Sequence, residues 1–248
     1  MTERDLMDYH ERYKNQPYEK YQAGFRRREV LRIISEFPHE TMLEVGCGLE
    51  SIFLHLNSFA KMTVVEPSVD FFNKASHDSA GRKNIVLINA ALEEARPEIK
   101  DEKFDFILIS SLLHEVPRPD EFLKAVRDIC QADTVIHINV PNAFSFHRLL
   151  AAEMGLIKDV HEASAMNAAF QQHSVFDGDS LARTVKDAGF NIIDEGAYAF
   201  KPFTHTQMQN MIDSRLLSPE MLEGLFDMGK RLPEFCSEIY VNVKKQDA

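Results

Sequence analysis

Five short apolar runs, each followed by a helical stretch, succeed one another between Met42 and Val140, and this alternation limits the fold more than any other feature of the chain. The runs cover residues 42–45, 62–65, 85–88, 104–109 and 134–140. They are rich in β-branched and aromatic residues, and the fourth, FDFILI, is apolar almost throughout, as a strand covered on both faces must be. Between them, Ser68 offers an N-cap to a helix carrying Phe71, Phe72 and Ala75. Pro119 and Asp120 open another helix through Phe122, Leu123, Val126 and Ile129. Strand followed by helix, five times over, predicts an α/β fold: a parallel, doubly wound sheet with helices on both faces.

The flanks read differently. Residues 1–25 carry Tyr9, Tyr13, Tyr18 and Tyr21 without a sustained apolar period, and we read them as an N-terminal lid. A helix is predicted from Arg26, with Val30, Leu31, Ile33, Ile34 and Phe37 on one face and Pro38 ending it. Beyond Val140 the alternation stops. A helix near Asp179 closes at Gly189, a strand follows at 191–194, a helix starts at Ser218-Pro219-Glu220, and a final strand occupies 238–243. The intervening segments, 141–178 and 201–237, are too long for plain connections and are expected as insertions on the substrate side of one domain spanning 1–248. In the second, Met208, Met211, Met221, Leu225, Phe226 and Met228 give an apolar helical face suited to core packing, a dimer contact or a cap over a ligand.

Composition narrows the partners. With 28 Lys plus Arg against 39 Asp plus Glu, the net charge is −11, which disfavours nucleic acid and anionic membranes. Cys47, Cys130 and Cys236 form no Cys-x-x-Cys pair and fit reduced thiols in a cytoplasmic protein. The polar start does not resemble a signal peptide, and no apolar run approaches the roughly 20 residues that span a bilayer. A small-molecule partner is the expectation, with monomer and homodimer both open.

The segment MLEVGCGLES falls at the first strand-to-helix turn. There Gly46 and Gly48 let the backbone approach a ligand, and the next helix would offer unpaired N–H groups and a positive dipole end. The same residues read as the first half of a dinucleotide loop, with Ser51 in the last glycine place and Glu66 as the distant acid, which would make the chain a nicotinamide-dependent oxidoreductase. Glu44 tilts the choice, because a carboxylate inside a strand end is costly to bury unless it serves a ligand or a partner group.

On these residues the chain resembles the class I S-adenosylmethionine-dependent methyltransferases, whose first motif is acid-x-Gly-x-Gly. The resemblance implies a Rossmann-like sheet of seven strands, mostly parallel with the last antiparallel, and S-adenosylmethionine as cofactor with S-adenosylhomocysteine as product. Carried over by position, Glu44 answers the cofactor's amino acid end, Gly46, Cys47 and Gly48 form its loop, and Glu66, ahead of Pro67, holds the ribose hydroxyls. Ala91 and Leu92 stand where adenine is contacted, and FDFILISSLLHEV matches the fourth-strand motif, with Ser110 and Ser111 lining the pocket. VPNAFSFHR at 140–148 and the later DAGF resemble the subgroup that methylates small molecules and sugars. Two departures stand out: Glu50 replaces the usual third glycine, and Asn89-Ala90 replaces the usual Asp, leaving adenine to the backbone near Ala91 and Leu92. Arg27 lies about where ubiquinone-pathway O-methyltransferases place an arginine against the cofactor carboxylate. Arg26 and Arg28 compete for that role, and three adjacent arginines also suit a solvated face.

Methyl transfer from a sulfonium is an in-line displacement, so the protein's main contribution is alignment; a hydroxyl acceptor also needs a base. Histidine suits that role. His114, just beyond the fourth strand beside Glu115, is the first candidate and His147 the second. His173, Asn142 and Tyr18 are expected at the acceptor, whereas His137, in mid-strand, reads as a core residue. No metal is expected, because magnesium-dependent relatives carry carboxylates where this chain has Ser110-Ser111-Leu112. The Asn-Pro-Pro-Tyr motif used on planar amino groups is missing. The expected activity is methylation of a small acceptor, with oxygen on a sugar, polysaccharide precursor or natural product ahead of nitrogen on a small amine.

Overall fold

The computed structural model describes residues 15–246. Seven strands form one sheet in the order β3-β2-β1-β4-β5-β7-β6. They are β1 (Thr41–Val45), β2 (Lys61–Val65), β3 (Ile85–Ile88), β4 (Phe106–Ser110), β5 (Val135–Pro141), β6 (Phe190–Tyr198) and β7 (Glu238–Lys245). The first five pair in parallel, while β7 runs antiparallel to both β5 and β6. The sheet is therefore seven-stranded and Rossmann-like, with the last strand reversed. Strand order changes direction between β1 and β4, which opens a crevice at their carboxyl ends.

Nine helices flank the sheet among the described residues: α1 (Glu19–Ile34), α2 (Val69–Asp78), α3 (Leu92–Ile99), α4 (Pro119–Ile129), α5 (Phe146–Glu153), α6 (Ala165–Ala169), α7 (Gly178–Asp187), α8 (His205–Asp213) and α9 (Pro219–Met228). Alternation along each strand splits the core in two. Leu43, Val45, Ile107 and Ile109 face one layer with Leu92, Phe122, Val126 and Leu181 from α3, α4 and α7. Met42, Phe106 and Leu108 face the other, with Ile33, Phe71, Met208 and Phe226 from α1, α2, α8 and α9. None of these helices is long and apolar enough to cross a membrane, among the described residues.

Three elements differ from the sequence expectation. The first helix begins at Glu19, not Arg26, because its opening turns bury polar groups: Gln22 donates to Ser237 Oγ at 3.1 Å and to Glu238 Oε1 at 3.0 Å. Its inward face there is not apolar and so carries no readable period. Residues 19–25 of the expected lid thus belong to α1, while Tyr9 and Tyr13 lie outside the described residues. The second difference follows the glycine turn, where a 3-10 turn at Ile52–Leu54 forms in place of the expected α-helix. Here Glu44 accepts from the N–H of Ile52 at 3.0 Å and from the Ser51 hydroxyl, tying the segment down within one turn. The third is β6, which extends to Tyr198 past an irregularity between Ile192 and Asp194. Of the methionine face, Met208 is buried, whereas Met221 and Met228 are exposed.

Candidate active site

A cavity of about 980 Å³ opens along the carboxyl ends of β1, β2 and β4. The glycine turn forms its floor, with Gly46 at φ 76° and Gly48 at φ 54°; a Cβ on Gly46 would sit 3.2 Å from Leu112 Cδ2, on the residue after Ser111. Glu44, Gly46, Cys47, Gly48, Glu66, Pro67, Ala91, Leu92, Ser110, Ser111, Arg27 and Tyr18 all line this cavity. The structure brings these sequence-predicted residues to one place.

Both acids are buried and hydrogen-bonded, Glu44 by the Ile52 N–H and the Ser51 hydroxyl, Glu66 by three main-chain donors. Glu66 accepts from Cys47 N at 2.9 Å, Gly48 N at 3.4 Å and Ser68 N at 2.8 Å, so the carboxyl braces the glycine turn against the start of α2. Burial raises its pKa, and those three donors oppose the rise. Ser68 makes no side-chain cap bond; its N–H goes to Glu66 instead. Burial likewise pushes Glu44 from its ordinary 4.5 to about 7, against the pull of Ser51 and Ile52. Asn89, at the departure noted after β3, donates to the carbonyls of Glu66 at 2.8 Å and Pro67 at 3.2 Å and so ties the β3 end to the β2 end.

Arg27 reaches the cavity from α1 and is ion-paired with Glu50, with His55 Nε2 at 3.1 Å. Arg28 instead turns outward to Glu223 at 2.6 Å, and Arg26 turns inward to Glu238 at 2.7 Å. Tyr18 is buried at φ 62°, and its N–H donates to Gln209 Oε1 at 2.9 Å. The lid position is therefore pinned to α8.

A second cavity, about 160 Å³, adjoins the first and shares Gln16, Glu19, Arg26, Ser111 and Glu115 with it. His114 and His147 both line it. His114 is buried in the turn after β4; its carbonyl accepts from His173 N at 2.9 Å, and its Nε2 stands 3.8 Å from Glu115 Oε1. His147, in the first turn of α5, has a buried Nδ1 without a hydrogen-bond partner among the described residues. Burial, then Lys201, His205 and Arg148, hold its pKa well below 6.5. His173 is exposed and lines neither cavity. Asn142 lines the smaller cavity, but its amide donates to the carbonyls of Glu234 at 3.1 Å and Cys236 at 2.9 Å, clamping the β5 end to the β7 approach. His137 is a core residue, with Nδ1 2.7 Å from Asn242 Oδ1.

Sequence reasoning missed the polar set behind these residues: buried Glu19, Gln22, Lys201 and Glu238, with half-buried His205. A lysine between Phe200 and Pro202-Phe203 was the available signal, since a charge in so apolar a context is either exposed or held for a purpose.

Comparison with known proteins assigns the class. Residues 18–195 match the methyltransferase domain family, and the chain belongs to it. It is thus a methyltransferase, and solved structures share its fold. An S-adenosylmethionine-dependent methyltransferase from Clostridium acetobutylicum superposes with a TM-score of 0.60 at 12% identity, covering 93% of this chain and 96% of that one. The plantazolicin methyltransferase BamL, solved with a triazolic desmethylPZN analog and SAH, gives 0.60 at 14% identity, with 93% and 88% covered. The cyclase SpnF also superposes, at 0.58 and 12% identity over 89% and 81%, so the same fold carries other chemistry. Among curated proteins none matches the chain in sequence.

Proposed function

We propose that this protein transfers the methyl group of S-adenosylmethionine to a small polar acceptor, with a hydroxyl oxygen as the nucleophile. The observation that carries the reading is the pairing of the two cavities: the larger one, floored by the glycine turn and walled by Glu44 and Glu66, meets a smaller polar one across Ser111 and Glu115. A cofactor held in the first would face an acceptor held in the second.

The residues present suit that cofactor. Glu66 is a buried carboxylate on the wall with Oε1 bonded only to Ser68 N among the described residues, which leaves acceptor capacity for ribose hydroxyls. Arg27 and Glu44 stand at the turn for the amino acid end, and Ala91 and Leu92 for adenine. When bound, S-adenosylmethionine supplies an activated methyl on a positively charged sulfur. As the oxygen–carbon bond forms, the carbon–sulfur bond breaks and the acceptor proton must leave; His114 is our choice to take it, with His147 second. Both line the smaller cavity, whereas His173, though its N–H bonds the His114 carbonyl, does not. Oxygen over nitrogen, and a sugar or natural product over other polar molecules, rest on the local sequence likeness at 140–148. The chain is further proposed to work in the cytoplasm as a single domain, with segments 141–178 and 201–237 shaping the acceptor side.

The test is transfer of labelled methyl from S-adenosylmethionine across a panel of small hydroxyl and amine acceptors. Label on a hydroxyl supports the reading. Label on amines alone overturns the choice of oxygen, and no transfer to any acceptor overturns the activity.

A further inference from the structure

The smaller cavity is more specialised than a polar cleft. Lys201 lines it at 3% exposure, and its ammonium group makes one hydrogen bond, to His205 Nδ1 at 3.2 Å. An ammonium has three donors, so two of them meet no acceptor among the described residues. His147 contributes a further buried nitrogen, Nδ1, with no partner there. The charges that act on His147 are Lys201, His205 and Arg148, all basic. Along the cavity wall Arg26, Arg148 and Lys201 stand opposite Glu19, Glu115 and Glu238.

Carboxylates also face this cavity: Glu19 and Glu238 share Arg26, and both act on Lys201 from a distance without a hydrogen bond to it among the described residues. Glu238 accepts from Arg26 Nη2 at 2.7 Å and Nε at 3.2 Å, from Gln22 at 3.0 Å and from Asn139 at 3.2 Å. Burial raises Glu238, yet Arg26 and Gln22 hold it below its ordinary value. Glu19 pairs with Arg26 at 3.4 Å and with His205 at 3.6 Å. Glu115 lies at the junction with the larger cavity. Arg148 is spent on the carbonyls of Val160 and Glu162, each at 2.7 Å, and fixes the first insertion in place. The Lys201 ammonium and His147 Nδ1 thus keep unfilled hydrogen-bonding capacity among the described residues, and a buried cation with unfilled donors is costly unless a ligand fills them.

We propose that the smaller cavity binds an anionic oxygen group of the acceptor, a carboxylate or a phosphate, held between Lys201 and His147. The proposal rests on the methyltransferase reading of the adjoining cavity and narrows it to acidic acceptors. Lys201 then acts as a positioning residue, since the acid group it holds anchors the acceptor while the nucleophile faces the first cavity.

The test uses protein saturated with S-adenosylhomocysteine and follows its thermal midpoint during titration with acetate, inorganic phosphate or neutral acetamide at constant ionic strength. A saturable rise is expected with acetate or phosphate, the stronger of the two identifying the acid group, and none with acetamide. In Lys201→Met and Lys201→Gln the dissociation constant of that anion should rise at least about tenfold, the loss of one charge-assisted bond. S-adenosylhomocysteine binding, whose cavity Lys201 does not line, reports that each variant is folded. Equal effects of acetamide and the anions, or anion binding unchanged in both variants, would overturn the proposal. If wild-type protein fails to bind S-adenosylhomocysteine, the methyltransferase reading falls instead, so the two failures are distinct.

Discussion

Glu44 gives the sharpest test of why an acid sits inside a strand. Its carboxyl is 5% exposed, takes the Ser51 hydroxyl and the Ile52 N–H, and titrates at about 7 instead of 4.5. The folded state therefore holds this proton more tightly than the unfolded chain does. The stability it contributes is fully present below pH 4.5, declines as pH rises, and is gone once pH passes about 7. At about 1.4 kcal/mol for each pKa unit, the ionised carboxylate costs the fold roughly 3 kcal/mol at pH 8. Glu44→Gln keeps the shape and a bond to Ile52 while abolishing the charge. It should leave stability near wild type at pH 5 and raise the melting midpoint at pH 8 by up to about 6–12 °C for a chain of this size. The difference between variant and wild type, measured by thermal and urea unfolding across pH 5 to 8, isolates this one group from all others that titrate. A gap that does not change with pH, or a variant less stable than wild type at pH 8, would refute the reasoning. The gain in stability should come with weaker S-adenosylhomocysteine binding if Glu44 meets the ligand as proposed, and with unchanged binding if it does not.

Other substitutions probe the rest of the site. Glu66→Ala removes the acceptor of the Cys47, Gly48 and Ser68 N–H groups and the proposed ribose ligand; S-adenosylhomocysteine affinity by calorimetry should fall at least about a hundredfold, and an unchanged affinity would displace Glu66 from the site. Glu50→Gln releases Arg27 from an exposed ion pair worth about 0.2–1 kcal/mol, so cofactor affinity should rise a few-fold if Arg27 meets the cofactor carboxylate and stay level if it does not. His114→Ala should lower turnover about 10²- to 10⁴-fold with cofactor affinity nearly intact, and a normal rate would pass the role to His147.

The sheet was legible because buried parallel strands leave a signature: residues 104–109 are apolar almost throughout, and no other element type explains five such runs in alternation. The reversed last strand was legible only through resemblance, since periodicity carries no strand direction. The larger cavity was legible too, because Glu44 and the glycine turn are contiguous in sequence and Glu66, Ala91 and Ser110 follow at the ends of successive strands. The smaller cavity was legible only in part: His114, His147 and Asn142 line it, but the rest of its wall comes from α1, the second insertion and the start of β7, residues as distant as Glu19 and Glu238. Nothing in local sequence announces that Gln22 will bond Glu238 or that Lys201 will meet His205. The early start of α1 was hidden for the same reason, its inward face being polar where apolar spacing is the usual sign of a helix.

The central claim is that the glycine turn, Glu44 and Glu66 build a site for S-adenosylmethionine and not for a dinucleotide. Calorimetric titration of the unmodified protein with S-adenosylhomocysteine and, separately, with NAD puts that claim to the test. Saturable one-to-one binding of S-adenosylhomocysteine with no heat from NAD is the predicted result; tight binding of NAD with none of S-adenosylhomocysteine would contradict it.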